Sequence, residues 1–312
     1  MSKFQVANMY LLHIRLQGQI SHLRRPTFPH IIEIAMISEL DAIIIRPKTA
    51  WQLVNVHELW RFRELLYTFS WRDIKLRYKQ TALGVMWVLF QPLVNTVIFT
   101  VFFGQFAQIP SQNLPYPVFV LIGLVFWGFF SGVLTRASNS FIENEQLVKK
   151  VYFPRELLPL STILTAGVDF GVSLIASFIV FMAYQIPMRP LFWLVLLLST
   201  VITIFTSAGL GLFISSVNIK YRDVRYILPF FLQLLIFVTP VIYPLTIVRP
   251  SFQWLLSLNP MTGVIDSLRS SLATNSIAHP EMLLMSSLSA VGLLLLGFWY
   301  FRATERFFAD EL

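Results

Sequence analysis

Asp169 is the residue whose type and position most directly suggest chemistry, because it is an acid within a long apolar segment. An ionisable side chain in a membrane segment is costly to bury, so a role in transport or assembly is its default interpretation. The competing interpretation is structural. Asp169 lies about eight residues into its segment, where it can reach the headgroup level or pair with an arginine of a neighbouring helix. Asp169 is therefore a candidate intramembrane polar site.

Sequence motifs of catalysis, nucleotide binding and metal binding are absent. No glycine is followed by lysine, so the chain has no phosphate-binding loop of the P-loop type. It has no cysteine and no His-Glu-x-x-His, which leaves no recognisable zinc site. No Gly-x-Ser-x-Gly nucleophile elbow occurs either. The sequence therefore predicts a protein that is not an enzyme and binds no cofactor or metal of its own.

Composition predicts the kind of structure in which Asp169 lies. Hydrophobic residues make up 56% of the 312 residues and charged residues only 13%, against about 25% charge in soluble domains. No Asp, Glu, Lys or Arg occurs between Lys79 and Arg136, and such runs are typical of membrane spans. The chain is predicted to be an all-α polytopic membrane protein that binds membrane lipids and no nucleic acid. Its six predicted spans are residues 82–106, 116–135, 161–184, 191–215, 226–248 and 282–301.

The remaining segments complete the predicted organisation. Residues 1–50 lack a clear period and are expected to form a mobile cytoplasmic extension, or to be untranslated in part if synthesis starts at Met36. Residues 51–81 hold an amphipathic interfacial helix, and residues 82–312 form the membrane domain. The semi-polar stretch 249–281, before the last span, can include short re-entrant helices.

Positive charge predicts the orientation, since Lys and Arg resist translocation. With a cytoplasmic N-terminus, all but three of the 24 Lys and Arg residues lie inside. Those three are Arg189, Arg249 and Arg269. Both termini are therefore predicted to be cytoplasmic.

The amphipathic helix, residues 57–79, has apolar residues at three- and four-residue spacing along one face. Its cationic side consists of Arg61, Arg63, Arg72, Lys75, Arg77 and Lys79. One interpretation is an anchor to anionic lipid that also enforces topology. The alternative is that these cations also meet the phosphate of a lipid-linked substrate where it enters.

The connection between the second and third spans is predicted to contain a short helix, residues 141–152. Ser140 and Glu143 have the spacing of a capping box at its start, and Pro154 forces Phe153 out of helical geometry at its end. The helix has mixed faces, with Phe141 and Leu147 apolar and with Glu143, Glu145, Lys149 and Lys150 charged. It suits docking on a soluble partner, and an ordinary solvated loop is the alternative.

Aromatic side chains could line a pore for sugars, because their faces slide past sugar rings. The candidates are Trp87, Phe90, Phe126, Trp127, Phe230, Phe237 and Tyr243. Periodicity does not select among them, since these helices are apolar all round.

Five separated motifs, in order, resemble the permease subunits of ABC-2 type transporters that export polysaccharides. They are residues 65–93, 149–159, 218–225, 239–244 and 259–266, and the second contains Phe153-Pro154-Arg155-Glu156. The resemblance covers about residues 50–312.

The resemblance implies a homodimer of six-span subunits in the bacterial cytoplasmic (inner) membrane, each bound to a cytoplasmic ATP-binding subunit. ATP and magnesium would then belong to that partner. The cargo implied is a lipid-linked polysaccharide, such as O-antigen, capsule or a teichoic-acid-type polymer. The resemblance also assigns ATPase coupling to the 141–152 helix and to Phe153, Pro154, Arg155 and Glu156, and it places the amphipathic helix where the lipid-linked glycan enters.

Two other functions remain open at this point. A secondary transporter would work through Asp169, and it predicts inverted repeats and polar groups at the midplane. A membrane enzyme acting on a polyprenyl-linked sugar would need convergent acids or bases, which the predicted spans do not supply.

Overall fold

The computed structural model describes residues 60–79 and 86–308, and every regular element within these two ranges is helical. The predicted extension (residues 1–50) and the predicted helix start at residue 57 lie outside them. The helices are α1 (Arg63–Lys79), α2 (Met86–Phe99), α3 (Tyr116–Glu143), α4 (Glu145–Lys150), α5 (Leu157–Ala183), α6 (Pro190–Lys220), α7 (Val224–Val238), α8 (Pro250–Ser257), α9 (Pro260–Thr274) and α10 (Pro280–Thr304). A π-helical turn, Thr100–Phe106, extends α2.

Proline sets the start of several helices. Pro190, Pro250, Pro260 and Pro280 each occupy the first position of a helix. Proline is favoured there because its missing N–H would have no partner in the first turn and its φ is already helical. At the start of α9 the side chain of Asn259 also accepts a hydrogen bond from the Met261 amide at 3.1 Å, which caps the helix.

Among residues 60–79 and 86–308, five helices are long and apolar enough to cross a membrane. They are Met86–Phe106, Tyr116–Glu143, Leu157–Ala183, Pro190–Lys220 and Pro280–Phe307. Each corresponds to one predicted span. The second and fourth helices continue past their predicted ends at residues 135 and 215, and a hydrogen bond of 2.7 Å from Asn218 Nδ2 to Ser138 O joins the two added segments.

The predicted span 226–248 is not a continuous helix. α7 has 15 residues and ends at Val238, so it measures about 22 Å against the ~30 Å core of a bilayer. Thr239 is extended (φ −76°, ψ 136°) because it precedes Pro240. A short 3₁₀ turn, Leu245–Ile247, follows. The prediction of six spanning helices is therefore not confirmed.

The semi-polar stretch before the last span forms α8 and α9. α9 is buried along almost its whole length, where it packs against α3, α6 and α10. Because Gly263 has no side chain, α9 lies close to α10: a methyl group at Gly263 would lie 2.6 Å from the Met282 carbonyl oxygen. Re-entrant placement of these helices in the membrane stays a prediction.

α6 and α10 pack with their backbones in contact. A methyl group at Gly297 of α10 would lie 2.6 Å from the carbonyl carbon of Gly209 in α6. One at Gly209 would lie 2.6 Å from Cα of Leu294. Real side-chain carbons do not approach so closely, so only glycine fits at this crossing, as in small-residue packing of membrane helices.

Candidate functional site

Asp169 lies where α1, α3 and α5 meet. Its carboxylate accepts a hydrogen bond from Arg136 Nη2 of α3 at 2.6 Å. Arg77 Nη1 and the Tyr78 hydroxyl, both of α1, also donate to it. Asp169 thus pairs with arginines of two neighbouring helices, which is the arrangement that the structural interpretation of this residue describes. Whether it also acts in transport stays a prediction.

The four side chains, here called the Asp169 cluster, carry an excess of positive charge. Burial, and next the hydrogen bond to Asp169, raise the pKa of Tyr78 to about 12, so its phenol is neutral at physiological pH. Since the phenol is neutral, the charged groups of the cluster are two guanidinium groups and one carboxylate. The side chain of Asp169 is 18% exposed and that of Arg77 is 38% exposed, so the cluster is more open on the arginine side.

A cavity of about 460 Å³ opens beside the Asp169 cluster, between α2, α3 and α5. Arg77, Arg136 and Asp169 form part of its wall. Polar side chains (Gln91, Asn95, Ser131) and aromatic rings (Trp127, Phe129, Phe170) contribute much of the rest. A mixed wall of this kind suits a ligand with a charged or polar head and an apolar part.

The predicted cationic residues of the amphipathic helix fall into two groups: those at the surface, and Arg77, which pairs with Asp169. Arg72 forms an exposed pair with Asp73 at 2.8 Å, and Lys75 lies 5.4 Å from the centre of the Trp71 ring. Arg61, Arg63 and Lys79 are also exposed. Arg77 differs, because it reaches the Asp169 cluster. On its other side α1 packs against the start of α5, where Ser70 Oγ donates to the Ser161 carbonyl at 2.9 Å.

The candidate pore aromatics do not converge on one surface of the chain. Trp87 and Phe90 are exposed and stack with ring centres 5.7 Å apart, and Phe230 and Phe237 are exposed on α7. Phe126 and Trp127 are buried in α3. The Tyr243 hydroxyl donates to the Val238 carbonyl at 3.0 Å. Of this set, Trp127 lines the cavity.

The predicted capping box at Ser140 is wrong. Ser140 lies inside α3, where its hydroxyl donates to the Ala137 carbonyl at 2.8 Å. Its backbone remains helical, so it does not act as an N-cap. The helix breaks at Asn144 (φ −117°, ψ 22°), and α4 then occupies only residues 145–150. The predicted 141–152 helix is therefore the last turn of α3, a kink and one short helix.

The candidate coupling residues separate by burial. Phe141, Val148 and Phe153 are buried in an apolar cluster with residues of α6 and α10. Leu147 packs against its edge. Glu143, Lys149 and Lys150 are exposed, and Lys149 Nζ lies 2.5 Å from Glu145 Oε1. The segment thus presents a charged outer face and is fixed to the helices from within.

An ion-pair network joins the Phe-Pro-Arg-Glu segment to the end of α10. Glu156 is fully buried, and its Oε1 lies 2.5 Å from Arg302 Nη2. Arg302 also pairs with Glu305 at 3.2 Å. Arg155 Nη1 donates to the Glu305 carbonyl at 2.7 Å. Residues predicted to couple to an ATPase are therefore tied directly to the last long helix.

Sequence reasoning missed three cations that the structure buries or pairs. Arg136 and Arg302 were counted only as positive charge near span ends, and Arg269 only as a charge on the outer side. The guanidinium of Arg269 is in fact fully buried, and it donates to the carbonyls of Phe119 at 2.9 Å and Pro240 at 2.7 Å. One signal was present: carbonyls near Pro240 lose helical partners and need another donor.

The groups that line the cavity beside Asp169 are suited to binding a ligand by hydrogen bonds and charge. Among residues 60–79 and 86–308 no group of three or more His, Cys, Asp or Glu side chains is placed to hold a metal ion. The polar groups of the cavity are two arginines, one carboxylate, amides and hydroxyls. Such groups can hold an anionic or sugar-like ligand by hydrogen bonds and charge.

Comparison with known proteins matches the chain to one transporter family and to several polysaccharide-export proteins. The profile of a family described as ABC-2 type transporter matches residues 64–273. An O-antigen export system permease protein, RfbA, of Klebsiella pneumoniae is 28% identical over 250 residues, which cover 80% of this chain and 95% of that protein. A protein of the same description from Myxococcus xanthus is 29% identical over 263 residues, which cover 82% and 98%. The polysialic acid transport protein KpsM of Escherichia coli is 24% identical over 238 residues, which cover 75% and 91%.

Proposed function

The chain belongs to the ABC-2 type transporter family, and on that premise we propose that it is the permease subunit of an ATP-driven polysaccharide exporter. Its cargo is a lipid-linked polysaccharide, of the O-antigen, capsular or teichoic-acid class, which it moves across the bacterial cytoplasmic membrane. The observation that carries this proposal is the match to polysaccharide-export permeases over nearly their whole length, 91% to 98%. The five long apolar helices support it.

The proposed assembly contains two copies of this chain and a cytoplasmic ATP-binding subunit for each. ATP and magnesium are bound by that partner. The exposed charged face of α4 is the surface we assign to docking on it. Closure of the partner's two copies pushes α4, and because Phe141, Val148 and Phe153 are buried against α6 and α10, the push reaches the long helices. A change driven in this way requires contacts that differ between the two states.

The proposed orientation has both termini in the cytoplasm and therefore needs an even number of crossings. Five long helices give an odd number, so α7 and the turn after it must supply the sixth. The absence of native cysteine makes this testable by single-cysteine labelling. A membrane-impermeant thiol reagent should label Arg249→Cys and Ser276→Cys in intact cells, and Lys149→Cys only after permeabilisation. Labelling of position 149 in intact cells would contradict the orientation.

The coupling role is tested on the chain co-purified with its ATP-binding subunit. Glu145→Arg and Lys149→Glu each reverse one charge of the exposed pair, and we expect ATP hydrolysis to continue while export falls. Arg249→Gln is the matched control, since it changes an exposed charge on another segment. Unchanged export in both charge-reversal variants would count against the docking assignment. Nucleotide hydrolysis by the isolated chain would contradict the proposed division of labour.

A further inference from the structure

Residues 239–243, here called the α7 break, follow the end of α7 and are held by side chains from other helices. Four consecutive backbone carbonyls of the break each accept a hydrogen bond from α3 or α9. The bonds run from Arg269 of α9 to Pro240 (2.7 Å), Val241 and Tyr243 (3.4 Å), and from Tyr116 of α3 to Ile242 (2.8 Å). Buried carbonyls that have no helical partner need such donors. The α7 break therefore has a fixed position between α3 and α9.

The space for the Arg269 side chain is formed by α3. The guanidinium carbon lies 3.5 Å from the centre of the Phe119 ring, and Arg269 Nε donates to the Phe119 carbonyl at 2.9 Å. Gly123, one turn further along α3, leaves room for the guanidinium. A methyl group at Gly123 would lie 2.8 Å from Arg269 Nη2 and 3.1 Å from the Val241 carbonyl oxygen. Arg269 thus ties α3, α9 and the α7 break together.

A guanidinium suits this arrangement better than other donors. It has five N–H groups in one plane, whereas a glutamine amide has two and a lysine ammonium has three at a single point. In this chain the Arg269 side chain is fully buried and its N–H groups reach the carbonyls of Phe119 and of the α7 break. Burial of a cation is costly unless such bonds compensate it. Replacement of this one residue therefore removes several bonds at once.

The rest of α7 is held less firmly within the chain. Two of its 15 residues are buried, and it follows an exposed turn at residues 221–223. The hydrogen bond from Lys149, and more weakly the charge of Arg222 in that turn, lower the pKa of Glu145, so the start of α7 lies close to α4. α7 therefore has a loosely packed end near α4 and a fixed end at the α7 break.

We propose that Arg269 is a positioning residue for transport, which holds the α7 break as a pivot about which α7 tilts when α4 moves. The inference rests on the proposed function, because it extends the movement of the ATPase-docking surface to α7. A helix that is fixed at one end and loose at the other rotates about the fixed end, as in hinge motions. In the proposed orientation this pivot lies on the extracytoplasmic side.

The tilt is tested by distances between spin labels in the chain assembled with its ATP-binding subunit in nanodiscs. The chain has no native cysteine, and exposed residues of α7 and α10 provide one pair of sites at each end of α7. The double variants are Tyr226→Cys with Trp299→Cys near α4, and Val238→Cys with Leu284→Cys near the α7 break. Dilution with unlabelled chain restricts the measured distances to one copy.

Trapping the complex with ATP and vanadate should change the distance near α4 about twofold more than the distance near the α7 break. In the Arg269→Gln variant the two distances should change by similar amounts, because the fixed end is released. Similar changes at both ends of the chain that keeps Arg269, or none at either, would overturn the pivot.

The amount of polymer exported per ATP hydrolysed separates a positioning role from a structural one. Loss of a charged hydrogen bond lowers the population of the fixed state about tenfold, so this ratio should fall about tenfold in Arg269→Gln. Arg269→Lys keeps the charge but fewer of the bonds, and its ratio should fall about threefold. A purely structural role would lower yield, hydrolysis and export together. An unchanged ratio in Arg269→Gln would therefore overturn the proposal.

Gly123→Ala displaces Arg269 without replacing it, and the ratio should fall about fivefold, since such crowding forces the side chain from its place. Gly128→Ala on the same helix meets nothing within 4 Å and is the matched control. In the Arg269→Gln background, Gly123→Ala should have little further effect, because residues in contact are not additive. Additive effects would contradict the proposal.

A milder variant keeps the proposal testable if Arg269→Gln does not fold. Tyr116→Phe removes the single donor to the Ile242 carbonyl and leaves Arg269 in place, and the ratio should fall about twofold. An unchanged ratio in this variant and in Gly123→Ala would overturn the proposal. Equal movement of both ends of α7 with normal ATP-driven export would overturn this inference alone. A chain that associates with no ATP-binding subunit would contradict the proposed function, and the pivot with it.

Discussion

Where α6 meets α10, glycines bring two backbones into contact, whereas the glycines beside the Asp169 cluster face open space. A methyl group added at any of four glycines there would have no atom within 4 Å apart from its chain neighbours and the backbone of its own helix. These glycines are Gly128 and Gly132 of α3 and Gly167 and Gly171 of α5. At the α6–α10 crossing the same addition collides with the opposite backbone. Glycine thus allows close packing of backbones at the first junction and leaves open space at the second.

The difference indicates which part of the molecule can rearrange. Close-packed helices move as a unit, because every displacement costs many contacts at once. The α1–α3–α5 junction combines apolar packing, such as Phe170 of α5 against Phe126 and Phe129 of α3, with a few charged hydrogen bonds at the Asp169 cluster. We therefore expect α6, α9 and α10 to form a rigid block and the Asp169 cluster to be the adjustable contact.

The largest effect is expected from closing the space at the rigid junction. Gly297→Ala places a methyl group against the Gly209 backbone, and such overpacking should cost about 3 kcal/mol or more. Yield and apparent Tm in detergent should fall sharply. Gly292→Ala on the same helix meets nothing within 4 Å and should be neutral or slightly stabilising. Equal behaviour of the two variants would contradict the close approach of the α6 and α10 backbones at Gly297.

The next effect concerns the link between the coupling segment and the rigid block. Glu156→Ala leaves Arg302 buried with Glu305 as its remaining carboxylate, and we expect a loss of about 3 kcal/mol in unfolding free energy. Replacing both Glu156 and Arg302 with glutamine should recover part of that loss. Glu145→Gln, at an exposed pair, should leave the apparent Tm unchanged. A full loss in the double variant would show that the pair's charges are not what stabilises this link.

A smaller, local effect is expected at the adjustable junction. Asp169→Asn should leave the rigid block folded but weaken the attachment of α1, and it should impair export. Trypsin cleavage within residues 61–79 should become about tenfold faster, because a hydrogen bond to a charged group contributes about 1.5 kcal/mol or more. Asp73→Asn is the control. Export and cleavage rates like those of the unmodified chain would reduce Asp169 to a bystander.

The smallest effect is a pH dependence of the same contact. Because the pKa of Tyr78 is raised to about 12 from 10.0, protonated Tyr78 stabilises the folded chain below pH 10. That contribution should be lost as the pH rises from 10 towards 12. Apparent Tm should therefore fall more steeply over this interval in the unmodified chain than in Tyr78→Phe. Parallel curves would indicate that neither burial nor Asp169 raises the pKa of Tyr78.

Much of the fold could be predicted because the physical signals are local. Apolar runs long enough for a bilayer, one of them interrupted by Asp169, located five of the spans. The same kind of signal explains why residues 226–248 do not form one continuous helix: hydropathy continues, but Pro240 ends α7. Local apolarity indicates where a chain is buried but not whether its backbone stays helical.

The candidate site was predictable only in part, because its contacts join residues far apart in the sequence. Asp169 is conspicuous by its type, yet its partner Arg136 is 33 residues away on another helix. Glu156 and Arg302 lie even further apart. The Ser140–Glu143 spacing matched a capping box by chance, since a serine inside a helix can donate to an earlier carbonyl instead. Residue type suggested the participants, and only tertiary packing pairs them.

The length of α3 and α6 has a consequence for the proposed ATPase partner. With 28 and 31 residues these helices measure about 42 Å and 46 Å, which is about 12 Å and 16 Å more than a hydrocarbon core of about 30 Å. In the proposed orientation we expect the additional length to lie on the cytoplasmic side and to hold α4 away from the lipid tails. A protein that docks on α4 in this arrangement contacts a water-exposed surface, and it needs no apolar membrane-binding surface of its own. We expect the isolated motor subunit to be soluble without detergent and to be recruited from solution.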